Sequence, residues 1–217
     1  MRVVFLMLAA AVLGLPACAE SGPVLRMDFS NPGLSPSQWT LVIYPEGKGH
    51  FQSWRGNAPA ADPPVMETPN IDRDIRLSPQ FVNRVFQIVR DHRLLRAGCD
   101  SRLKVAFQGW KKLTYVGPEG EGVCEFNYSK DKEIQALGDS LVAVSATIVE
   151  GARLEILLQH DPLGLDMEME FVTEASNDGR LQQISVIRGT LERLEETPGV
   201  MERVRKRAGV LLARTEK

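Results

Sequence analysis

The stretch Cys99–Tyr128, CDSRLKVAFQGWKKLTYVGPEGEGVCEFNY, sets two cysteines around a run that alternates apolar and polar residues. A period of two marks a strand with one buried face. Leu103, Val105 and Phe107 supply one such run, and Leu113 and Tyr115 a second, across a tight turn at Gly109-Trp110. Val123 and Phe126 fall in a third, after the glycine-rich GPEGEG. The expectation is a three-stranded antiparallel meander whose entry is tied to its exit by a Cys99–Cys124 disulfide. Closing a loop of about 25 residues contributes ~3.5 kcal/mol by the chain-entropy relation, less any strain.

The case for a bridge rests on the compartment, which the first residues address. MRVVFLMLAAAVLGLPACA has an early positive charge at Arg2, an apolar run from Val3 to Leu15 too short to span a bilayer, and Ala17-Cys18-Ala19 as a cleavage signal. Residues 1–19 therefore read as a signal peptide, and the mature chain as exported, periplasmic or secreted. LPAC is also close to a bacterial lipobox with Cys18 as the lipidated residue, but Pro16 sits poorly in it, so cleavage after Ala19 is preferred. Either route removes Cys18 from the thiol count, and an even number of cysteines in an oxidising compartment favours pairing.

N-terminal to the quoted stretch, VLRMDF, WTLVIY and GHFQSW read as strands, the last two joined at PEGKG, whose proline and glycines suit a hairpin turn. Residues 55–70 carry Pro59, Pro63, Pro64 and Pro69 and read as a loop. IDRDIRL is a fourth strand. Ser78-Pro79 then opens a helix, serine as cap and proline in the first turn, with Phe81, Val85, Ile88 and Val89 on one face and a stop near Gly98.

C-terminal to it, from residue 129, strand signals give way to helix signals. Asp131 can cap a helix that carries Ile134, Leu137, Leu141, Ser145 and Ile148 on one side, and Asp161-Pro162 and Thr197-Pro198 read as further helix starts. Four or five helices are expected, packed as a bundle. The fold class is thus α+β: an antiparallel sheet of hairpins with one packed helix over residues 24–128, then an all-helical region over 129–217.

Chemistry is sparse. HExxH, GxSxG, phosphate-loop and dinucleotide fingerprints are missing from the sequence, and its three histidines lie in different elements. No catalytic residue, cofactor or metal is expected. The net charge of −2 offers no basic footprint for nucleic acid. Between Leu154 and Gly179 there are seven acidic residues and no Lys or Arg, and Asp166, Glu170, Glu174 and Asp178 recur every fourth position. Like charges at that spacing repel on a helix, so the stripe is expected to pair with a counter-stripe at Arg203 and Arg207 or to be simply solvated. The alternative is an acidic surface for a cationic partner or for Ca2+, whose EF-hand loop spacing the stripe does not match. Trp39, Trp54 and Trp110 are the other candidates for a binding surface, contacting glycan or protein. Trp39 is expected in the core and Trp110 exposed.

The hairpin turn Glu46-Gly47-Lys48-Gly49 and the helix start Leu77-Ser78-Pro79 resemble those of small exported bacterial domains of unknown function, over residues 39–95. That resemblance implies an α+β fold and an envelope location, and it carries over no activity. The expected function is a non-enzymatic cell-envelope or secreted binding module with a macromolecular partner, engaged through the sheet, the helical region (Asp166, Glu170, Glu174) or Trp110. A hydrolase of cell-wall or polysaccharide material that uses paired acidic residues is the alternative.

Overall fold

The computed structural model describes residues 22–54 and 70–215. The expected signal peptide with Cys18, and all but the last residue of the expected proline-rich loop, lie outside the described residues. Six strands, β1 (Val24–Ser30), β2 (Gln38–Ile43), β3 (Lys48–Trp54), β4 (Ile71–Arg76), β5 (Trp110–Gly117) and β6 (Gly120–Phe126), form one antiparallel sheet in the order β4-β3-β2-β1-β5-β6. Five helices accompany it: α1 (Pro79–Asp91), α2 (Lys132–His160), α3 (Leu165–Asn177), α4 (Arg188–Glu196) and α5 (Glu202–Thr215). The architecture is the α+β class expected, with a helical C-terminal region.

Alternation divides the sheet cleanly. Leu25, Met27 and Phe29, Trp39, Leu41 and Ile43, Phe51, Ile71 and Ile75, Leu113 and Tyr115, and Cys124 and Phe126 are all buried on one face. Register stacks them across strands: Leu25 pairs with Ile43, Leu41 with Phe51, Leu113 with Cys124. The β2–β3 turn closes with Tyr44 N–H donating to Lys48 O at 2.9 Å, and Gly47 adopts φ 84°, where a side chain would also strike the Leu77 carbonyl.

Two helices cover this face. Ser78 Oγ accepts the Phe81 amide at 3.3 Å and Pro79 enters without a donor to lose, so α1 starts where the sequence places it. It buries Val82, Val85, Phe86 and Val89, while Phe81 and Ile88 are only partly covered, and it ends at Asp91 rather than near Gly98. Asp131 caps α2, accepting the Glu133 and Ile134 amides at 3.0 and 3.2 Å. Over 29 residues α2 is apolar on more than one side, the pattern of a buried helix. Its first half (Ile134, Leu137, Leu141, Val144, Ile148) joins the core under the sheet; Leu154 and Leu157 join a second core made with α3, α4 and α5. The change of composition at residue 129 marks a change of element type, and packing runs on across it. Glu155 fastens the two cores, taking ion pairs from Arg73 of β4 (3.1 Å) and Arg193 of α4 (3.0 Å) and a hydrogen bond from the Thr190 hydroxyl (2.6 Å).

The quoted stretch departs from the expected meander. Cys99 and Cys124 are bridged, with Cα atoms 5.6 Å apart. Leu103, Val105 and Phe107, however, form no strand and are exposed. In the expected meander they would pair with the β5 segment, but that edge of β5 is taken by β1, from Val24 opposite Val116 to Ser30 opposite Trp110. Residues 93–95 make a tight turn at positive φ, Arg96 Nε donates to Glu121 O at 2.8 Å, and Gly122 lacks the side chain that would collide with the Leu94 carbonyl. Ahead of Leu103, an isolated antiparallel bridge pairs Asp100 with Ser129. Trp110 opens β5 instead of lying in a turn, and Val123 points outward between the buried Cys124 and the small Gly122. In the helical region, Asp161-Pro162 and Thr197-Pro198 occupy turns, and α3 and α5 begin four and five residues after Asp161 and Thr197. Asp161 instead terminates α2 and accepts the Gly164 amide at 3.3 Å.

Candidate functional site

Among the described residues no helix packs over the centre of the sheet's second face, and the same alternation that buries one set of side chains presents the other set there. Phe51 faces inward, so Trp54, three residues on, faces outward; Leu113 faces inward, so Trp110, three residues before it, does likewise. Register then aligns them. Trp54 lies opposite Gln38, Gln38 opposite Ser30, and Ser30 opposite Trp110, one continuous row across β3, β2, β1 and β5. The two indoles are 41% and 51% exposed, whereas Trp39 is 5% exposed and stacks on Phe29 with ring centres 4.9 Å apart.

Trp54 and Trp110 frame a cleft of about 400 Å3. The next row inward forms its floor. Arg26 grips Asp28 with two nitrogens, Nε to Oδ2 at 2.9 Å and Nη2 to Oδ1 at 2.6 Å, and the Thr40 hydroxyl donates to Asp28 Oδ1 at 2.7 Å. Lys112 pairs with Glu125 at 2.8 Å. Burial on its own raises the Asp28 pKa, but the hydrogen bonds from Arg26 and Thr40 outweigh it and hold the carboxyl below its usual range. Lys111 points the other way, 2% exposed, donating to Asn127 O at 3.3 Å and lying 5.7 Å from the Phe126 ring centre. Beyond Trp110, Phe107 meets its indole edge-on at 6.3 Å and is itself half exposed.

The acidic stripe lies elsewhere, on α3. Asp166 takes Arg203 Nε at 2.7 Å and Arg207 Nη1 at 2.8 Å, and Glu170 is 3.8 Å from Arg207. Glu174 is exposed, and Asp178, just past the helix, pairs with Arg180 at 2.8 Å. The counter-stripe of α5 therefore neutralises the first half of the row. Of the histidines, His50 sits between Asp72 (3.2 Å) and Asp74 (2.9 Å), His92 contacts Asp131 (3.1 Å) and Glu133 (3.5 Å), and His160 ends α2. Among the described residues no group of three His, Cys, Asp or Glu side chains converges to hold a metal ion.

One buried carboxyl stands apart from the cleft. Glu150 of α2 is pushed up to about 8 by burial and by its neighbour Glu168 of α3, against the pull of Arg153 at 3.1 Å. Trp110 is thus brought together with Trp54, Gln38 and the Arg26–Asp28 pair, and Asp166, Glu170 and Glu174 are not part of that site. Exposure of Trp110 was expected from the sequence, though in a turn rather than at the head of a strand, and Trp54 was a surface candidate beside it. Their shared row was not expected, because β1 pairs with β5 across some eighty residues of chain. No protein-family model matches the chain, and no curated protein resembles it closely enough to count as a relative.

Proposed function

We propose that this chain is an exported binding module of the cell envelope whose ligand lies on the open face of the sheet, in the cleft between Trp54 and Trp110. The observation that carries this reading is the cross-strand row itself: two exposed indoles at the ends of one register line, with a hydrogen-bonded polar floor beside it. Two large amphipathic rings at opposite ends of one cleft are the kind of side chain that recognition surfaces favour. Export is supported by the leader-like residues 1–19 and by the Cys99–Cys124 bridge, a linkage that persists in oxidising compartments. Cleavage after Ala19 would leave a periplasmic or secreted protein; lipidation at Cys18 would tether the same module to a membrane. Among the described residues no helix is long and apolar enough to cross a membrane.

Binding is favoured over hydrolysis by the state of the cleft's carboxylates. A glycosidase needs one carboxylic acid that keeps its proton near neutrality beside a carboxylate. Here Asp28 is held ionised by Arg26 and Thr40, and Glu125 is paired with Lys112. The carboxyl that is pushed up, Glu150, belongs to the helical core. The test is retention of an envelope fraction on immobilised mature protein. Wild type should retain a component that W54A/W110A loses at unchanged thermal midpoint. Equal retention by both removes the cleft from the function. Release of new reducing ends from cell-wall material by wild type, abolished in D28N, would favour the enzyme.

A further inference from the structure

Resting on that reading of the cleft, we infer that its ligand is a neutral, linear oligosaccharide that lies across the strands, from the Trp54 indole over Gln38 and Ser30 to the Trp110 indole. Three features of the surface select this class.

The first is charge. The outward ionic groups of the floor are two cations and two anions, each cation spent on an anion at 2.6–2.8 Å. A polyanion meets no net positive field there, and a polycation no net negative one. The second is the alternation of apolar plate and polar edge. A pyranose ring presents C–H groups on a face and hydroxyls around its rim. Stacking the face on an indole buries apolar area, while the rim reaches amide, hydroxyl and guanidinium groups such as Gln38, Thr40 and Arg26. An apolar peptide side chain pressed onto the same floor would desolvate those groups without replacing their hydrogen bonds. The third is length. The strands that carry the two indoles are three spacings apart, roughly 14 Å at ~4.8 Å per spacing, longer than a single sugar ring. Phe107, edge-on to Trp110, extends the platform past its end.

The site is also prepared. Arg26, Asp28 and Thr40 fix one another, so little side-chain freedom is lost when a hydroxyl replaces water.

The experiment titrates the mature protein, following indole emission and heat, with the hexasaccharides of β-1,4-glucose, α-1,4-glucose and β-1,4-N-acetylglucosamine, with alginate as polyanion and with decalysine as polycation. At least one neutral hexasaccharide should bind, at least tenfold more tightly than its monosaccharide. W54A and W110A, each checked for an unchanged thermal midpoint, should weaken it tenfold or more, and raising salt from 0.05 to 0.5 M should change it less than threefold. Failure of all three hexasaccharides, or indifference to both substitutions, overturns the inference. Tryptophan-dependent binding of alginate, decalysine or a polypeptide overturns it too, yet leaves the cleft as a binding site. Envelope retention that survives W54A/W110A would remove both.

Discussion

The disulfide offers the sharpest stability experiment, because its place in the fold gives both a size and a location to the effect. Cys99 follows the positive-φ turn at residues 93–95, and Cys124 sits 2% exposed on β6, whose edge that turn covers. The bridge therefore holds a strained corner against an edge strand. The perturbation is C99S/C124A; alanine is used at the buried site because a serine hydroxyl there would enter an apolar core. With the cysteines 25 positions apart in sequence, the chain-entropy relation gives ~3.5 kcal/mol, and a loss of about 2–4 kcal/mol is expected. Urea unfolding followed by far-UV circular dichroism should show the midpoint fall, and wild type in reductant should follow the variant. The m-value should rise in both, since an uncrosslinked unfolded chain exposes more surface. Hydrogen exchange should quicken first in β6 and residues 93–101, while α3–α5 keep their protection. A loss under about 1 kcal/mol at constant m would refute the view that the bridge restrains the unfolded chain.

Further outcomes follow from single contacts. Glu150 is pushed up to about 8 from an ordinary value of 4.5; below 4.5 both states are protonated, and between 4.5 and about 8 only the unfolded state ionises, so stability falls as pH rises through that window. E150Q should therefore gain over wild type with rising pH, by on the order of 2 kcal/mol at pH 8, and a gain independent of pH in urea titrations would count against the assignment. Reversing Arg203 and Arg207 to Glu should destabilise, and adding D166K and E170K should recover part of it; a double-mutant coupling near zero would mean the α3–α5 pairs are mere proximity, against the roughly 1 kcal/mol expected. V105K should shift stability by less than about 0.5 kcal/mol, because Val105 is exposed and outside the sheet; a core-sized loss would restore it to a strand.

Much of this fold was legible because its signals are local. Ser78-Pro79 and Asp131 act as caps within three residues of themselves, and Gly47 turns β2 into β3 at a φ that glycine adopts freely. The alternation in β1 to β4 reads directly as burial. The failure at Leu103, Val105 and Phe107 is instructive, since their pattern matches that of β5. The difference lies at a distant place: the edge of β5 that this segment would join is occupied by β1, some eighty residues earlier in the chain. Sequence periodicity describes a strand's readiness to pair and not the vacancy it needs. The candidate site was half legible in the same way. Trp110 was expected to be exposed and Trp39 buried, and both are. That Trp54 and Trp110 share a row depends on the β1–β5 pairing, which no local signal encodes.

The central claim is that the outward tryptophans, and not the buried one, meet the ligand. The three indole N–H resonances of the chain report it directly in a 15N-labelled sample titrated with the neutral hexasaccharides. The account predicts saturable shifts for Trp54 and Trp110 that exceed the shift of Trp39, which also lines the cleft but is 5% exposed and stacked on Phe29. Shifts confined to Trp39 and the helical region, or three indoles indifferent to every neutral hexasaccharide, would contradict it.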